Sequence, residues 1–514
     1  MPLQKHSNKD LSQTTKQNYF DTDHLKTDLK QRSVRGGAVT VVAQVSKFVL
    51  KFGSTIVLAR LLVPEDYGLI GMATVVVGFV EYFKDLGLSA ATIQRQQINH
   101  QQVSTLFWIN LGVGCLVALA VALLAPAIAS FYQEPRLGTV TLALAVNFIF
   151  GGLTVQHQAL LRRQMQFSSL ARIEIIAMAA GVMAAIITAS LGWGYWALVV
   201  MLMATSMTNA IGVWIACSWR PGLPKRNCGV GSMLAYGGNL TGFGLVNYFS
   251  RNLDNILIGR VWGSGQLGLY AQAYKLLLLP IQQINNPINS VALPTLSSLQ
   301  TEPQKYSRYY YKAILLITTL GMPIVAFMFA TADRLILLIL GKQWLGAVPI
   351  FKYLIPAAYV GTFNVAAGWV YQSLGRTDRQ FRIGIFMATV NSIIFAISVN
   401  WGAIGVARAY GLSQPLLMCV ALTYCYWGTH LRVKDFVQTI AKPTFSSIGA
   451  AIVLTIVERF ILIVDLNLLV NLLVDCILYG LLYLILWLIL PGGKQTLLEI
   501  GGILQVIKQK SRPK

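Results

Sequence analysis

Gln44, Lys47, Lys51 and Ser54 recur at i, i+3, i+7 and i+10 in a stretch that is otherwise largely apolar. At helical periodicity the four share one face, so two ammonium groups project from one side of a single helix. Two hundred positions later Asn247, Arg251 and Asp254 form a similar stripe, which makes Lys51 and Arg251 matching cations in two related segments. Cations held this way suit an anion, and phosphate in particular. Lys84, Lys275, Lys352 and Arg408 complete a set of seven basic residues that interrupt apolar segments. Among the acids in similar surroundings, Asp254 and Asp85, with Glu174 behind them, could carry a coupling proton or sodium ion, because a buried carboxylate near a cation is suited to that task. Structural readings stand beside these. Arg251 and Asp254 could neutralise each other at i, i+3, and Lys84 could pair with Glu81 or Asp85. Lys352 and Arg408 lie close enough to segment ends to reach the interface. His157 reads as a satisfied interfacial residue rather than a proton relay. Glu458, Asp465 and Asp475 fall in the last two apolar segments.

The elements that must position these residues follow from composition. Of 514 residues 55% are hydrophobic and only 12% charged, and the mean hydropathy is +0.59. A soluble domain carries about 25% charged residues. Apolar blocks of about 20 residues recur from position 36 to position 490, each able to cross a hydrocarbon core of about 30 Å. The blocks lack the alternation of barrel strands, and an open sheet cannot satisfy its edge in lipid. The expected fold is therefore an all-α polytopic membrane protein. Fourteen spans are expected: 37–60, 67–90, 103–131, 138–160, 170–190, 194–218, 233–259, 266–290, 313–332, 346–372, 383–400, 402–426, 444–464 and 467–490. A basic residue at the bilayer centre facing lipid would cost about 2.5–3.5 kcal/mol or more. Most of the seven should therefore face an internal, wet cavity.

The remaining basic residues test this count. With the N-terminus in the cytoplasm, 28 Lys/Arg fall on cytoplasmic segments, and only Arg60, Arg136, Arg260, Arg334, Lys342 and Arg459 fall on the other side. That asymmetry is the positive-inside rule, and one span too many or too few would invert every later loop. Both termini are then cytoplasmic, in a multi-pass protein of the inner membrane. The formal charge of +22 suits anionic lipid rather than nucleic acid. The first 36 residues lack the apolar core of a signal peptide and read as a basic, disordered cytoplasmic tail. Residues 491–514 read as a second basic tail, in which 495–508 could lie on the membrane as a short amphipathic helix. The six cysteines form no CxxC pair, so neither a disulfide framework nor a metal site is expected. No phosphate-binding GxxxxGK, HExxH or GxSxG occurs, and no loop exceeds about 20 residues, so neither a built-in ATPase nor a catalytic domain is expected. No cofactor is expected beyond the coupling ion.

The chain also repeats itself. "LARLLVPEDYGLIGMA" (58–73) is echoed by "LIGRVWGSGQLGLYAQA" (257–273), with Arg60/Arg260, Gly68/Gly268, Leu69/Leu269 and Ala73/Ala273 identical at an offset of 200. Trp193-Gly194 and Trp401-Gly402 match at an offset of 208. Each echo falls on the same kind of loop on the same face. The expected organisation is an N-lobe of six spans (37–218), a C-lobe of six spans (233–426) and two extra spans (444–490). An even number of spans per lobe makes the repeats parallel, an arrangement of transporters that hold substrate between lobes near the midplane.

The segments "ARLLVPEDYGL", "DLGLSAATIQR", "FYQEPRL" (131–137), "LLRRQMQF" (160–167) and "GWGYWALV" resemble, in order, the bacterial polysaccharide exporters of the multidrug/oligosaccharidyl-lipid/polysaccharide superfamily, in particular the Wzx-type flippases with fourteen spans. The resemblance covers about residues 36–430. It implies movement of undecaprenyl-diphosphate-linked oligosaccharide to the outer leaflet, by alternating access around a cationic cavity coupled to an ion gradient. By the same resemblance the partner is the lipid-linked oligosaccharide. Polysaccharide polymerase and chain-length proteins are candidate partners, and the chain is expected to be monomeric. Three rivals stand beside this reading. A cation-coupled drug exporter of the same superfamily would favour an acidic cavity. A peptidoglycan-precursor (lipid II) flippase is chemically close. A membrane glycan polymerase or ligase would be expected to carry a large outer loop with clustered Arg and His, which is missing.

Overall fold

The computed structural model describes residues 19–20, 29–85, 89, 92–93, 95, 98–225, 231–460 and 467–497. Within these, the side chains of 29–41, 79–85, 231–247, 249–251 and 460 are outside the description. Among the described residues there is no strand. Helices run in the order α1 (Leu29–Leu61), α2 (Pro64–Asp85), α3 (His100–Tyr132), α4 (Arg136–Arg163), α5 (Phe167–Ser190), α6 (Trp196–Ala216), α7 (Gly231–Ser298), α8 (Pro303–Ala330), α9 (Ala332–Ile339), α10 (Ala347–Gly361), α11 (Val365–Ser373), α12 (Thr377–Ser398), α13 (Gly402–Tyr426), α14 (Val433–Phe460) and α15 (Leu468–Ile489). Helix α7 is two helices, because Gly263 breaks it with φ 78 and ψ −176. With α7 divided there, α10–α11 taken as one interrupted rod and the eight-residue α9 set aside as too short to span, fourteen rods match the fourteen expected spans. Among the described residues nine helical stretches are long and apolar enough to cross a membrane, and one of them, Thr377–Tyr426, holds both α12 and α13. The protein is an all-α polytopic membrane protein.

The chain divides into two units, residues 1–252 and 253–514, with the division inside α7. In the first unit α3 packs on α4, α5 on α6, and α1 on α5. Small residues set the closest of these approaches. A Cβ at Gly114 of α3 would meet the Phe148 carbonyl oxygen at 2.6 Å, and one at Gly152 of α4 would meet the Asn110 carbonyl oxygen at 2.7 Å. Membrane helices use small residues in this way, since lipid supplies no hydrophobic drive to bring them together. Helix α3 begins with a capping box in which Asn99 Oδ1 accepts from Gln102 N at 2.9 Å and Gln102 Oε1 accepts from Asn99 N at 3.2 Å.

In the second unit α10 packs on α13, and α8 and α15 both pack on α14. A buried aromatic core fills its cytoplasmic end. Tyr310 Oη and Tyr426 Oη are hydrogen-bonded at 2.9 Å, Tyr306 Oη and Ser373 Oγ at 2.7 Å, and Trp369 lies beside them. The hydroxyls of Tyr306, Tyr310 and Tyr426 in this apolar layer therefore have partners, as burial requires.

Both echoed stretches fall at interruptions between helices. Leu62 and Val63 separate α1 from α2, and the counterpart of Val63 at an offset of 200 is Gly263, where α7 breaks. Ala73 and Ala273 are both fully buried. Gly194 and Gly402 both have positive φ, 54 and 76, at the turns before α6 and α13. Glycine is the residue for that conformation, which would strain any Cβ-bearing residue.

Candidate functional site

Helix α1 carries the densest row of candidate cations, and α5 holds it in place. Lys47 Nζ donates to Glu174 Oε2 of α5 at 2.6 Å, and both side chains are partly exposed, at 28% and 42%. Lys51 lies one turn further toward the outer end of α1 and is exposed. Among the described residues its ammonium meets no carboxylate. The two lysines thus differ: one is compensated within the unit and the other offers its full charge. Thr55 Oγ1 donates to the Lys51 carbonyl at 2.8 Å and Ser54 Oγ at 2.9 Å, so Ser54 of the stripe and its neighbour Thr55 bond back to their own helix.

Asp254 lies on the first arm of α7 and is 6% exposed. Its Oδ1 accepts from Asn255 N at 2.8 Å and its Oδ2 from Tyr270 Oη at 2.8 Å, across the Gly263 break. Tyr270 stacks on Tyr274 with centroids 6.1 Å apart, and Tyr274 meets Tyr410 of α13 edge-on at 6.3 Å. Among the described residues no cation pairs with Asp254, while Asn255 Oδ1 and Gln272 Nε2 are buried without hydrogen-bond partners. A carboxyl in such a setting is suited to holding a single proton, with Tyr270 fixing its orientation.

Lys275 is half-buried on the second arm of α7. Lys352 Nζ of α10 is bound to Asp333 Oδ2 of α9 at 2.5 Å. Arg408 of α13 sits over the Tyr353 ring of α10 with its guanidinium carbon 5.9 Å from the centroid, a cation–π contact. The side chains of Lys84, Asp85 and Arg251 lie outside the described residues, as do Asp465, residues 1–18 and the end of the C-terminal tail from 498.

Two clusters were not singled out from sequence. Arg163, counted there as a cytoplasmic-loop charge, is 6% exposed, and its guanidinium donates to the backbone carbonyls of Thr92 (3.2 Å), Ile93 (3.4 Å), Arg95 and Phe20 (3.4 Å). It pins the cytoplasmic face of the first unit. Arg334, counted as an outer-loop charge, reaches Glu458 of α14 at 3.0 Å and Asp475 of α15. The only advance signal was that Glu458 and Asp475 sit in apolar segments and need a partner.

A family model described as "Polysaccharide biosynthesis protein" matches residues 57–349. The chain belongs to this family. Lipopolysaccharide biosynthesis protein WzxC of Escherichia coli (strain K12) is 25% identical over 395 residues, which covers 75% of this chain and 79% of that protein. Teichuronic acid biosynthesis protein TuaB of Bacillus subtilis (strain 168) is 27% identical over 383 residues, covering 71% and 76%. Among solved structures, the lipid II flippase MurJ in an inward closed conformation superposes with a TM-score of 0.70 at 13% identity, covering 88% of this chain and 98% of that one. An inward-facing multidrug MATE transporter superposes at 0.60 and 14% identity, covering 74% and 94%. At such identities these two likenesses speak for the fold alone. Family and fold agree with the membrane helices: the protein is a multi-pass inner-membrane member of the polysaccharide exporter group.

Proposed function

We propose that this polysaccharide biosynthesis protein moves an undecaprenyl-diphosphate-linked oligosaccharide from the cytoplasmic to the outer leaflet of the inner membrane by alternating access. The observation that carries the proposal is Lys51, a cation in a membrane helix whose charge no described carboxylate neutralises. A lipid diphosphate supplies the missing counter-charge. Its oxygens accept charge-assisted hydrogen bonds, worth about 1.5–3 kcal/mol each to a charged group.

In this reading Lys51 and Arg251, with Lys47, Lys84, Lys275, Lys352 and Arg408 as further candidates, hold the diphosphate and the first sugars. The prenyl chain stays in lipid. Asp254 carries the coupling ion, with Asp85 and Glu174 as further candidates. The pairing of Glu174 with Lys47 suits a switch in which substrate competes for the lysine. The names of WzxC and TuaB, one lipopolysaccharide and one teichuronic acid, support a surface glycan as cargo. A peptidoglycan-precursor flippase would use the same diphosphate chemistry, and it is the sequence match to the polysaccharide family that favours the surface glycan.

The reading is tested by binding. The purified protein should bind a prenyl diphosphate sugar at least about tenfold more tightly than the same lipid with a neutral headgroup, the equivalent of about 1.4 kcal/mol. Equal affinity for the two lipids would count against it.

A further inference from the structure

The cytoplasmic end of α13 carries an apolar face with arginines at its mouth. Cys419, Val420, Thr423, Tyr424 and Trp427 fall at i, i+1, i+4, i+5 and i+8, so they share one side of the last turns. They line an open groove of about 450 Å³. The Thr423 hydroxyl donates back to the Cys419 carbonyl at 2.8 Å, so the groove has little polar chemistry to offer. Val420 and Trp427 are left 48% and 71% exposed. On a membrane-spanning helix such a surface suits a hydrocarbon chain. Trp427 stands just past the last residue of α13, where the cytoplasmic loop begins, and indole rings favour that level of a bilayer. Its carbonyl accepts from Arg376 Nη1 at 2.9 Å and from Arg379 Nη1 at 2.7 Å, and the Gly428 carbonyl accepts from Arg376 Nη2. Two guanidiniums are thereby fixed beside Trp427. These bonds take one N–H of Arg379 and two of Arg376, and a guanidinium carries five. Among the described residues neither arginine is ion-paired with a carboxylate. Arg382, three positions further along α12, is exposed, and Asp378 is the one acid between 375 and 382. An apolar groove with a surplus of fixed, donor-rich cations at its cytoplasmic mouth is complementary to a lipid with an anionic headgroup.

We propose that this groove binds an anionic phospholipid of the cytoplasmic leaflet, with its phosphate on Arg376 and Arg379 and an acyl chain along the face from Trp427 to Cys419. The backbone bonds hold both arginines in place before the lipid arrives, so little side-chain freedom is lost on binding. A zwitterionic lipid brings its own cation to the same arginines and gains less from them. The site is separate from Lys51 and Asp254 and does not depend on the identity of the cargo.

The test is quenching of tryptophan fluorescence by brominated lipids, with the full-length protein in phosphatidylcholine nanodiscs. The difference between wild type and Trp427→Phe isolates Trp427 from the other tryptophans. Half-quenching of Trp427 should need at least about fivefold less brominated phosphatidylglycerol than brominated phosphatidylcholine. The double variant Arg376→Gln, Arg379→Gln should remove that preference. Val420→Phe, which fills the groove and leaves the arginines intact, should weaken quenching by phosphatidylglycerol. Because Arg376 also caps α13, each variant is first checked for monodisperse elution, and Arg379→Gln alone serves if the double variant does not fold. Equal half-quenching by the two lipids in wild type would overturn the proposal, as would an unchanged preference in Arg379→Gln. So would displacement of brominated phosphatidylglycerol by undecaprenyl diphosphate at about a tenth of its mole fraction, which would make the groove a cargo site.

Discussion

Lys47 and Glu174 meet at 2.6 Å across α1 and α5, while Lys51, one turn along the same helix, meets no carboxylate among the described residues. Two lysines four positions apart are thus assigned different work by what α5 places opposite them. The Lys47–Glu174 pair is partly exposed, so its coupling should be modest. A double-mutant cycle with Lys47→Ala and Glu174→Gln, read by thermal unfolding in detergent, is expected to give about 0.5–1 kcal/mol. A coupling of several kcal/mol would mean that the pair is a buried structural bridge rather than a contact that substrate can displace.

Asp254 is held by Tyr270 Oη and by the Asn255 amide, and neither bond requires a charge on the carboxyl. Asp254→Asn should therefore keep the fold and lose gradient-driven transport, while exchange without a gradient persists. Tyr270→Phe removes the donor from a buried acid and should lower stability by about 1–3 kcal/mol. Parallel measurements of unfolding and of gradient-driven uptake in vesicles separate the two effects. Unchanged gradient dependence in Asp254→Asn would move the coupling ion to another acid.

Arg163 gathers four backbone carbonyls from two segments on the cytoplasmic face. A lysine has three donors on one nitrogen and cannot reproduce the planar fork. Arg163→Lys should cost about 1–3 kcal/mol of stability and increase proteolysis after Arg95, whereas Arg162→Lys, at an exposed neighbour, should be close to neutral.

The crossing of α3 and α4 leaves no room for a methyl group at Gly152, where a Cβ would meet backbone atoms of Asn110 and Leu111 at 2.7 and 2.9 Å. Gly152→Ala is expected to destabilise by about 1–3 kcal/mol through overpacking. Gly112→Ala, where a Cβ would meet nothing within 4 Å, is the control and should be neutral or slightly stabilising.

Several features could be read from the chain because the membrane simplifies them. Span number and direction follow from apolar block length and from where Lys and Arg fall, and neither depends on tertiary detail. Two of the expected segments, 266–290 and 346–372, fall on irregular helices. The first contains Pro280 and Pro287, and the second is interrupted between Gly361 and Val365. The pairings could not be read in advance. Lys47 and Glu174 are 127 positions apart, and Tyr270 reaches Asp254 only because Gly263 folds α7 back. Arg334 looks like an ordinary outer-loop charge until α14 and α15 are placed beside α9. Sequence shows which charges need partners; packing alone decides which ones get them, and those left over are the candidates for function.

The most direct test of the central claim is flipping of a lipid-linked oligosaccharide in liposomes containing purified protein, followed by access of an outer-leaflet probe. Lys51→Ala should slow flipping roughly 10- to 100-fold, the loss of one or two charge-assisted bonds to the diphosphate, and Lys51→Arg should keep most of the rate. Adding Arg251→Ala to Lys51→Ala should abolish flipping while the protein still reconstitutes as a monodisperse species. A wild-type rate in the Lys51→Ala, Arg251→Ala double variant would contradict the assignment of these cations to the substrate diphosphate.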